Sequence, residues 1–138
     1  MNCRKPTRTN AKKLNTMSAP QRHLVVIITH GIEHELSSVG WTIANGGITA
    51  GLKVSIFLTS GGVDLVRQRA TDTTQVHPLD NLKELQQDFL RRGGTLMACT
   101  PCVKARGYTR EDLIEGTIIT GASSMHELIA AGAATLSF

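Results

Sequence analysis

Aromatic residues and cysteines are scarce in this chain of 138 residues, and long apolar runs are missing from it. The three cysteines are too few, and odd in number, for the disulfide framework that staples small secreted domains. No apolar stretch approaches the ~20 residues that cross a bilayer, so we predict no membrane partner. The hydrophobic fraction of 41% is sufficient for a core without staples. These features predict a globular protein of a reducing compartment, which we interpret as the cytoplasm.

Acidic residues are absent from the first 22 positions of the chain. Six basic residues lie there: Arg4, Lys5, Arg8, Lys12, Lys13 and Arg22. The formal net charge is +4, so the rest of the chain holds nine basic and eleven acidic groups, a net charge of −2. That part lacks the positive excess typical of nucleic-acid-binding domains, and we predict no nucleic-acid partner. We predict a disordered basic tail over residues 1–22 and a single domain over residues 23–138.

Short β-branched runs alternate with helical segments along the predicted domain. Strands are predicted at 24–29, 53–59, 95–99, 117–120 and 135–138, and helices at 33–50, 63–70, 78–92, 100–107, 109–112 and 124–131. Capping-box spacings mark two of the helix starts, Thr109 with Asp112 and Ser124 with Glu127. The alternation indicates βαβ units. We therefore predict an α/β fold of three α/β/α layers around a mostly parallel five-stranded sheet, similar to flavodoxin.

The ends of the predicted strands are the places where ligands bind in an open parallel sheet. Four segments follow strands here: residues 30–31, 60–62, 99–102 and 121–123. Because the carboxyl ends of parallel strands share one edge, neighbouring segments are expected to form one cleft. The paired glycines at 61 and 62 are more typical of a turn than of a ligand contact.

The most informative segment contains Cys99 and Cys102. Thr100 is a good N-cap and Pro101 suits the first helical position, which leaves Cys99 at the strand tip and Cys102 in the first helical turn. The free amides and partial positive charge of a helix start favour the reactive thiolate form. Two further positive charges follow, at Lys104 and Arg106. The alternative is that Cys99 is a small buried strand residue, although the CxxC spacing favours a functional site.

Histidines and acids near residues 30–35 raise the question of a metal. A structural zinc site needs four ligands, and no second cysteine pair or close histidine pair accompanies Cys99 and Cys102. We interpret the acids as a solvated first helical turn and predict neither a metal nor another cofactor. His30, at a strand tip, and His126, near the start of the last helix, are weaker candidates for orienting or protonating a sulfur ligand.

With these segments the chain resembles the DsrE/DsrF family of sulfur-relay proteins, from about Leu24 to Phe138. The resemblance is carried by the strand at 24–29, the strand at 53–59 leading into Gly61-Gly62-Val63, Leu96-Met97-Ala98-Cys99 followed by Lys104-Ala105-Arg106-Gly107, and the helix start at 121–124. It implies a three-layer fold, assembly as a homotrimer or hexamer, and a sulfur-carrying cysteine at the position of Cys99. Cys102 is an addition found in only part of the family. It leaves open persulfide chemistry, disulfide chemistry or both.

Three functions remain open from the sequence. In the first, Cys99 accepts a sulfane sulfur from a donor protein or small persulfide and passes it to an acceptor, as a sulfurtransferase-type carrier, with Cys102 helping its release. In the second, the two cysteines form the site of a thiol–disulfide oxidoreductase or redox sensor, although the aromatic residue that precedes the first cysteine in thioredoxin-type sites is missing. In the third, the chain is a non-catalytic regulatory or ligand-binding subunit. Whether the protein is an enzyme therefore stays open.

Overall fold

The computed structural model describes residues 20–138. In chain order its elements are β1 (His23–Ile28), α1 (Glu35–Thr49), β2 (Lys53–Leu58), a first 3-10 helix (Ser60–Val66), α2 (Leu82–Arg91), β3 (Thr95–Cys99), α3 (Thr100–Ala105), a second 3-10 helix (Arg110–Asp112), β4 (Thr117–Thr120), α4 (Ala122–Ala130) and β5 (Ala134–Ser137). No helix among these is long and apolar enough to cross a membrane. Residues 1–19 of the predicted tail, Cys3 among them, lie outside the described residues.

The five strands form one parallel sheet in the order β4-β3-β2-β1-β5. Each β-branched strand pairs with its neighbours through the backbone, and helical crossovers return the chain to start the next strand in the same direction. The predicted α/β fold with a five-stranded parallel sheet is confirmed. Because all strands run the same way, their carboxyl ends lie at one edge. At that edge Ile28 pairs with Leu58, Leu58 with Ala98, and Cys99 with Thr120.

The larger core lies between the sheet and the helices α1, α2 and α3. Trp41 of α1 and Phe89 of α2 are fully buried there and meet edge to face, with ring centroids 5.4 Å apart. Such an aromatic pair adds about 0.5–1.5 kcal/mol beyond the burial of its surface. Gly47 explains how α1 packs so close to the sheet, since an added Cβ would lie 3.1 Å from both Leu24 and Val54.

A smaller core covers the opposite face of the sheet. It consists of Val25, Phe57, Met97 and Met125, and α4 is the helix that supplies Met125. This face is less completely covered than the first one. Ile118 of β4, which pairs with Met97, is 49% exposed.

Several helix starts differ from the sequence prediction. The helix predicted from residue 33 begins at Glu35, and the helix predicted at 63–70 is instead the first 3-10 helix at Ser60–Val66. The helix expected from Pro78 begins at Leu82, because the side chain of Asn81 accepts a hydrogen bond from the amide of Lys83 (2.9 Å) and caps it there. The helix expected from Ser124 is α4, which begins at Ala122.

The two predicted capping boxes have different outcomes. Ser124 does not cap α4, since its hydroxyl bonds to the hydroxyl of Thr120 (2.6 Å) and the N-cap is Gly121. The box of Thr109 and Asp112 is confirmed at the start of the second 3-10 helix. There the carboxylate of Asp112 accepts from both the amide (2.7 Å) and the hydroxyl (3.0 Å) of Thr109.

Candidate functional site

The segments that follow β1, β2 and β3 meet at the carboxyl edge of the sheet, because these three strands are direct neighbours. The fourth predicted segment, residues 121–123, follows β4 on the outer side of β3. The shared edge expected from the sequence is therefore present, and the cysteines lie on β3 and α3 between the ends of β2 and β4.

Cys99 is the last residue of β3 and the N-cap of α3. The helix starts at Thr100, which was predicted as its N-cap, and it places Cys102 in its first turn, as predicted. Both thiols are free and partly exposed. The two cysteines thus lie at a strand-to-helix turn where solvent can reach them.

The sulfur of Cys102 is held by the chain that follows β2. The amide of Ser60 donates a hydrogen bond to Cys102 Sγ (3.2 Å), and the hydroxyl of Thr59 lies 3.5 Å from the same atom. Ser60 has a φ of 51°, in the left-handed region that non-glycine residues rarely occupy. Such conformations persist only where the surroundings hold them in place, and they are concentrated at functional sites. The sequence predicts residues 60–62 at this edge, but it predicts neither hydrogen bond to Cys102 and does not single out Thr59.

These contacts lower the pKa of the Cys102 thiol below its ordinary value. The largest contribution is the hydrogen bond from Thr59. The amide of Ser60, the thiol of Cys99 and the charge of Arg106 act in the same direction, while partial burial opposes them. The sequence prediction attributed a lowered pKa to the amides of the cysteines' own helix. The structure attributes it at Cys102 mainly to donors that follow the neighbouring strand, with Arg106 adding to it.

Glycines bring this chain segment close to the end of β1. At Gly62 an added Cβ would lie only 2.2 Å from the carbonyl oxygen of Ile28, and at Gly61 it would lie 3.1 Å from the amide nitrogen of Gly31. The interpretation of the glycine pair as a turn was incomplete, since both belong to the first 3-10 helix. Their role is the close approach of backbone to backbone, which places Ser60 beside the sheet edge.

A group of three polar side chains lies next to Cys102. Asp64 of the first 3-10 helix accepts a hydrogen bond from Arg106 Nε (3.0 Å) and another from the hydroxyl of Tyr108 (2.7 Å), both on Oδ1. The hydrogen bond to Asp64 raises the pKa of Tyr108, and burial adds to the rise. Lys104, the other predicted source of positive charge, is exposed and is not among the causes of the lowered pKa of Cys102.

His30 lies in an open cleft of about 530 Å³ beside this group. The cleft is lined by residues 29–34 together with Ser60, Gly61, Asp64 and Arg106. The ring of His30 stacks on that of His34 at 4.0 Å, and His34 also caps α1 by accepting from the amide of Leu36 (3.2 Å). His126 is exposed on α4. The roles predicted for His30 and His126 at a sulfur ligand stay predictions.

No three side chains of the metal-ligating types converge anywhere in residues 20–138. Residues 33–35 lie at the exposed start of α1, where acids suit the helix dipole.

The fold places the protein in the class of small α/β proteins with a parallel sheet, and two free cysteines lie at the carboxyl edge of that sheet. Within that class, the chain belongs to the DsrE/DsrF-like family, whose model matches residues 22–138. The resemblance found in the sequence is thereby confirmed.

One relative and two solved structures are similar to this chain. An uncharacterized protein of Methanocaldococcus jannaschii is 33% identical over 108 residues, which are 76% of this chain and 87% of the relative. The structure is similar to the ychN protein from E. coli, with a TM-score of 0.69 and 17% identity over 86% of this chain and 99% of that one. It is also similar to a protein of unknown function from Methanobacterium thermoautotrophicum, with a TM-score of 0.65 and 15% identity over 86% of this chain and 100% of that one. The two structural matches show the fold.

Proposed function

We propose that this protein carries sulfane sulfur as a persulfide on its cysteine pair and passes it on in a sulfur relay. Membership of the DsrE/DsrF-like family supports a relay-type role. The observation that carries the proposal is the hydrogen bonding of Cys102 Sγ by Ser60 and Thr59, which favours a thiolate on a partly exposed atom. A thiolate is the form of cysteine that attacks sulfur.

The loading step is a thiolate exchange. The thiolate of Cys102 attacks the outer sulfur of a donor persulfide, R–S–SH, and a new S–S bond forms on the protein. The S–S bond of the donor breaks, and its electron pair leaves with the donor as R–S⁻. The proposed partners are therefore a donor protein or small persulfide and an acceptor with a free thiol. The sequence-based hypothesis assigned this attack to Cys99, and the hydrogen bonds favour Cys102.

Two routes release the sulfur. An acceptor thiolate can attack the outer sulfur, which regenerates the thiolate of Cys102. Alternatively, the thiolate of Cys99 attacks the inner sulfur, a Cys99–Cys102 disulfide forms, and HS⁻ leaves. An external dithiol reductant must then reduce that disulfide before the next cycle.

Intact-mass measurement after polysulfide treatment tests the proposal. Cys3→Ser serves as the background, so that only the two site cysteines are present. We expect the mass of one added sulfur atom in this background and when Cys99→Ser is added to it. When Cys102→Ser is added instead, we expect no mass gain. If the mass gain is absent only in Cys99→Ser, then Cys99 is the attacking thiol, as the sequence predicted. No gain in the background protein would overturn the carrier function.

A dithiol oxidoreductase or redox sensor is the second candidate. It is favoured by the thiol of Cys99, which is near enough to Cys102 to contribute to its lowered pKa. This function predicts a reversible disulfide in the Cys3→Ser background and turnover of that disulfide by a dithiol reductant, without any gain of sulfur. Mass measurement before and after reduction separates the two candidates.

A further inference from the structure

The first 3-10 helix and α3 are joined at two places. At one, the amide of Ser60 donates to Cys102 Sγ (3.2 Å). At the other, one turn further along the same 3-10 helix, Asp64 receives Arg106 Nε (3.0 Å). Cys102 and Arg106 lie on consecutive turns of the α3 segment. The two contacts therefore lie side by side, and a shift at one changes the geometry of the other.

Asp64 is bound from two directions at this second contact. The hydroxyl of Tyr108, in the chain that follows α3, donates to the same oxygen (2.7 Å) that receives Arg106. The side chains of Asp64 and Arg106 are about one-third exposed, so water screens their attraction only in part. Arg106 Nη1 also reaches the carbonyl oxygen of Cys102 (3.5 Å). Two donors, one at the end of α3 and one in the chain that follows it, thus converge on one carboxylate.

We propose that Asp64, with Arg106 and Tyr108, is a positioning residue that holds the first 3-10 helix on α3 and thereby keeps the amide of Ser60 against the sulfur of Cys102. This inference rests on the proposed function insofar as Cys102 is the attacking thiol. Ser60 needs such support, because its left-handed backbone is unfavourable for a residue with a side chain. Without the contact at Asp64, the 3-10 helix loses one of the contacts that hold its first residue, and the amide of Ser60 can move away from the sulfur.

A direct charge effect of Asp64 would have the opposite sign. Removing a carboxylate near a thiol stabilises the thiolate and lowers the thiol pKa. Loss of the positioning contact removes a hydrogen bond to the thiolate and raises the pKa. A residue that serves folding alone would change stability and leave the pKa in place. The direction of the shift therefore distinguishes the three roles.

The test is the pH dependence of iodoacetamide alkylation in a protein with Cys3→Ser and Cys99→Ser, where Cys102 is the only thiol. We expect Asp64→Ala to raise the pKa of Cys102 and to slow alkylation at neutral pH about threefold or more, as a rise of about half a unit in pKa requires. Asp64→Asn keeps an acceptor oxygen for Arg106 and Tyr108, and we expect it to restore most of the rate. Tyr108→Phe should shift the pKa in the same direction by less.

Asp88→Ala is the matched control. Asp88 accepts from Arg91 and Arg92 at the end of α2 with 34% of its side chain exposed, against 32% for Asp64, and it lies outside the segments that donate to Cys102 Sγ. We expect it to leave the alkylation profile unchanged. An unchanged or lowered pKa in Asp64→Ala overturns the proposal. If that variant does not fold, an unchanged profile in Tyr108→Phe overturns it.

The proposed function is tested separately in the Cys3→Ser protein with both site cysteines present. If polysulfide adds no sulfur there, the carrier function fails. The alkylation profile still reports whether Asp64 positions Ser60, so the two failures are distinguishable.

Discussion

Thr59 and Cys102 are separated by 43 positions in the chain, yet the hydroxyl of one lies 3.5 Å from the sulfur of the other. This hydroxyl makes the largest contribution to the lowered pKa of Cys102. The lowered pKa of this thiol therefore depends on a residue that carries no chemical signal of its own. Threonine at the end of a β-strand is ordinary by composition, and only its position makes it a donor to a thiolate.

Thr59→Val tests this contribution at the scale of a single residue. Valine has nearly the shape of threonine and lacks the hydroxyl, so we expect the pKa of Cys102 to rise. The alkylation rate of Cys102 at neutral pH should fall about threefold or more. The difference should vanish at high pH, where Cys102 is ionised with either residue at position 59. Thr73→Val, at an exposed position of the loop before α2, is the control. A profile that overlays the unmodified protein would exclude Thr59 as a donor.

At the scale of elements, glycines decide how closely the helices approach the strands. Gly62 lies in the first 3-10 helix against the backbone of β1, where an added Cβ would be 2.2 Å from the carbonyl oxygen of Ile28. Gly46 lies in α1 with nothing within 4 Å of the same position. Gly62 is therefore required by the close packing of backbone on backbone, whereas Gly46 is not required by packing. The sequence around each glycine does not reveal this difference.

Alanine substitution of these two glycines should change stability in opposite directions. We expect Gly46→Ala to raise the free energy of unfolding by about 0.5–1 kcal/mol, the cost of glycine inside a helix. Gly62→Ala should lower it by about 1–3 kcal/mol or more, because backbone must move away from backbone. Urea denaturation midpoints measure both. Equal stability of the Gly62→Ala variant and the unmodified protein would show that the 3-10 helix can move without cost, contrary to its proposed role in holding Ser60.

At the scale of the whole molecule, the two faces of the sheet differ. Three helices cover one face, and α4 covers the other. Large apolar side chains remain exposed at both edge strands, Ile118 on β4 (49%) and Leu136 on β5 (43%). Edge strands and exposed apolar surface are common sites of association between chains.

A homotrimer or hexamer, which the family resemblance implies, stays a prediction for this protein. Light scattering coupled to size-exclusion chromatography measures the mass directly. We expect three or six times the chain mass of 14.9 kDa. A single chain mass at micromolar concentration would contradict the prediction and would leave the cysteine site complete within one chain.

Much of this molecule was determined by local patterns in the sequence. Short runs bounded by turn residues predict all five strands, and the CxxC segment predicts the strand-to-helix turn that holds Cys99 and Cys102, because both signals depend on neighbouring residues. The sequence also identified the family. The predicted start of α2 was wrong by several residues, because it was set at Pro78 and the cap at Asn81 was not recognised.

Only the tertiary structure decided what surrounds the thiols. Strand order places the end of β2 beside β3, and so brings Thr59 and Ser60 to Cys102, and Asp64 to Arg106 and Tyr108. No local pattern encodes these contacts, because they join segments about 40 positions apart. Their energy depends on distances that exist only after the sheet has formed. Residue spacing therefore determined where the cysteines lie, and the packing of distant segments lowered the pKa of Cys102.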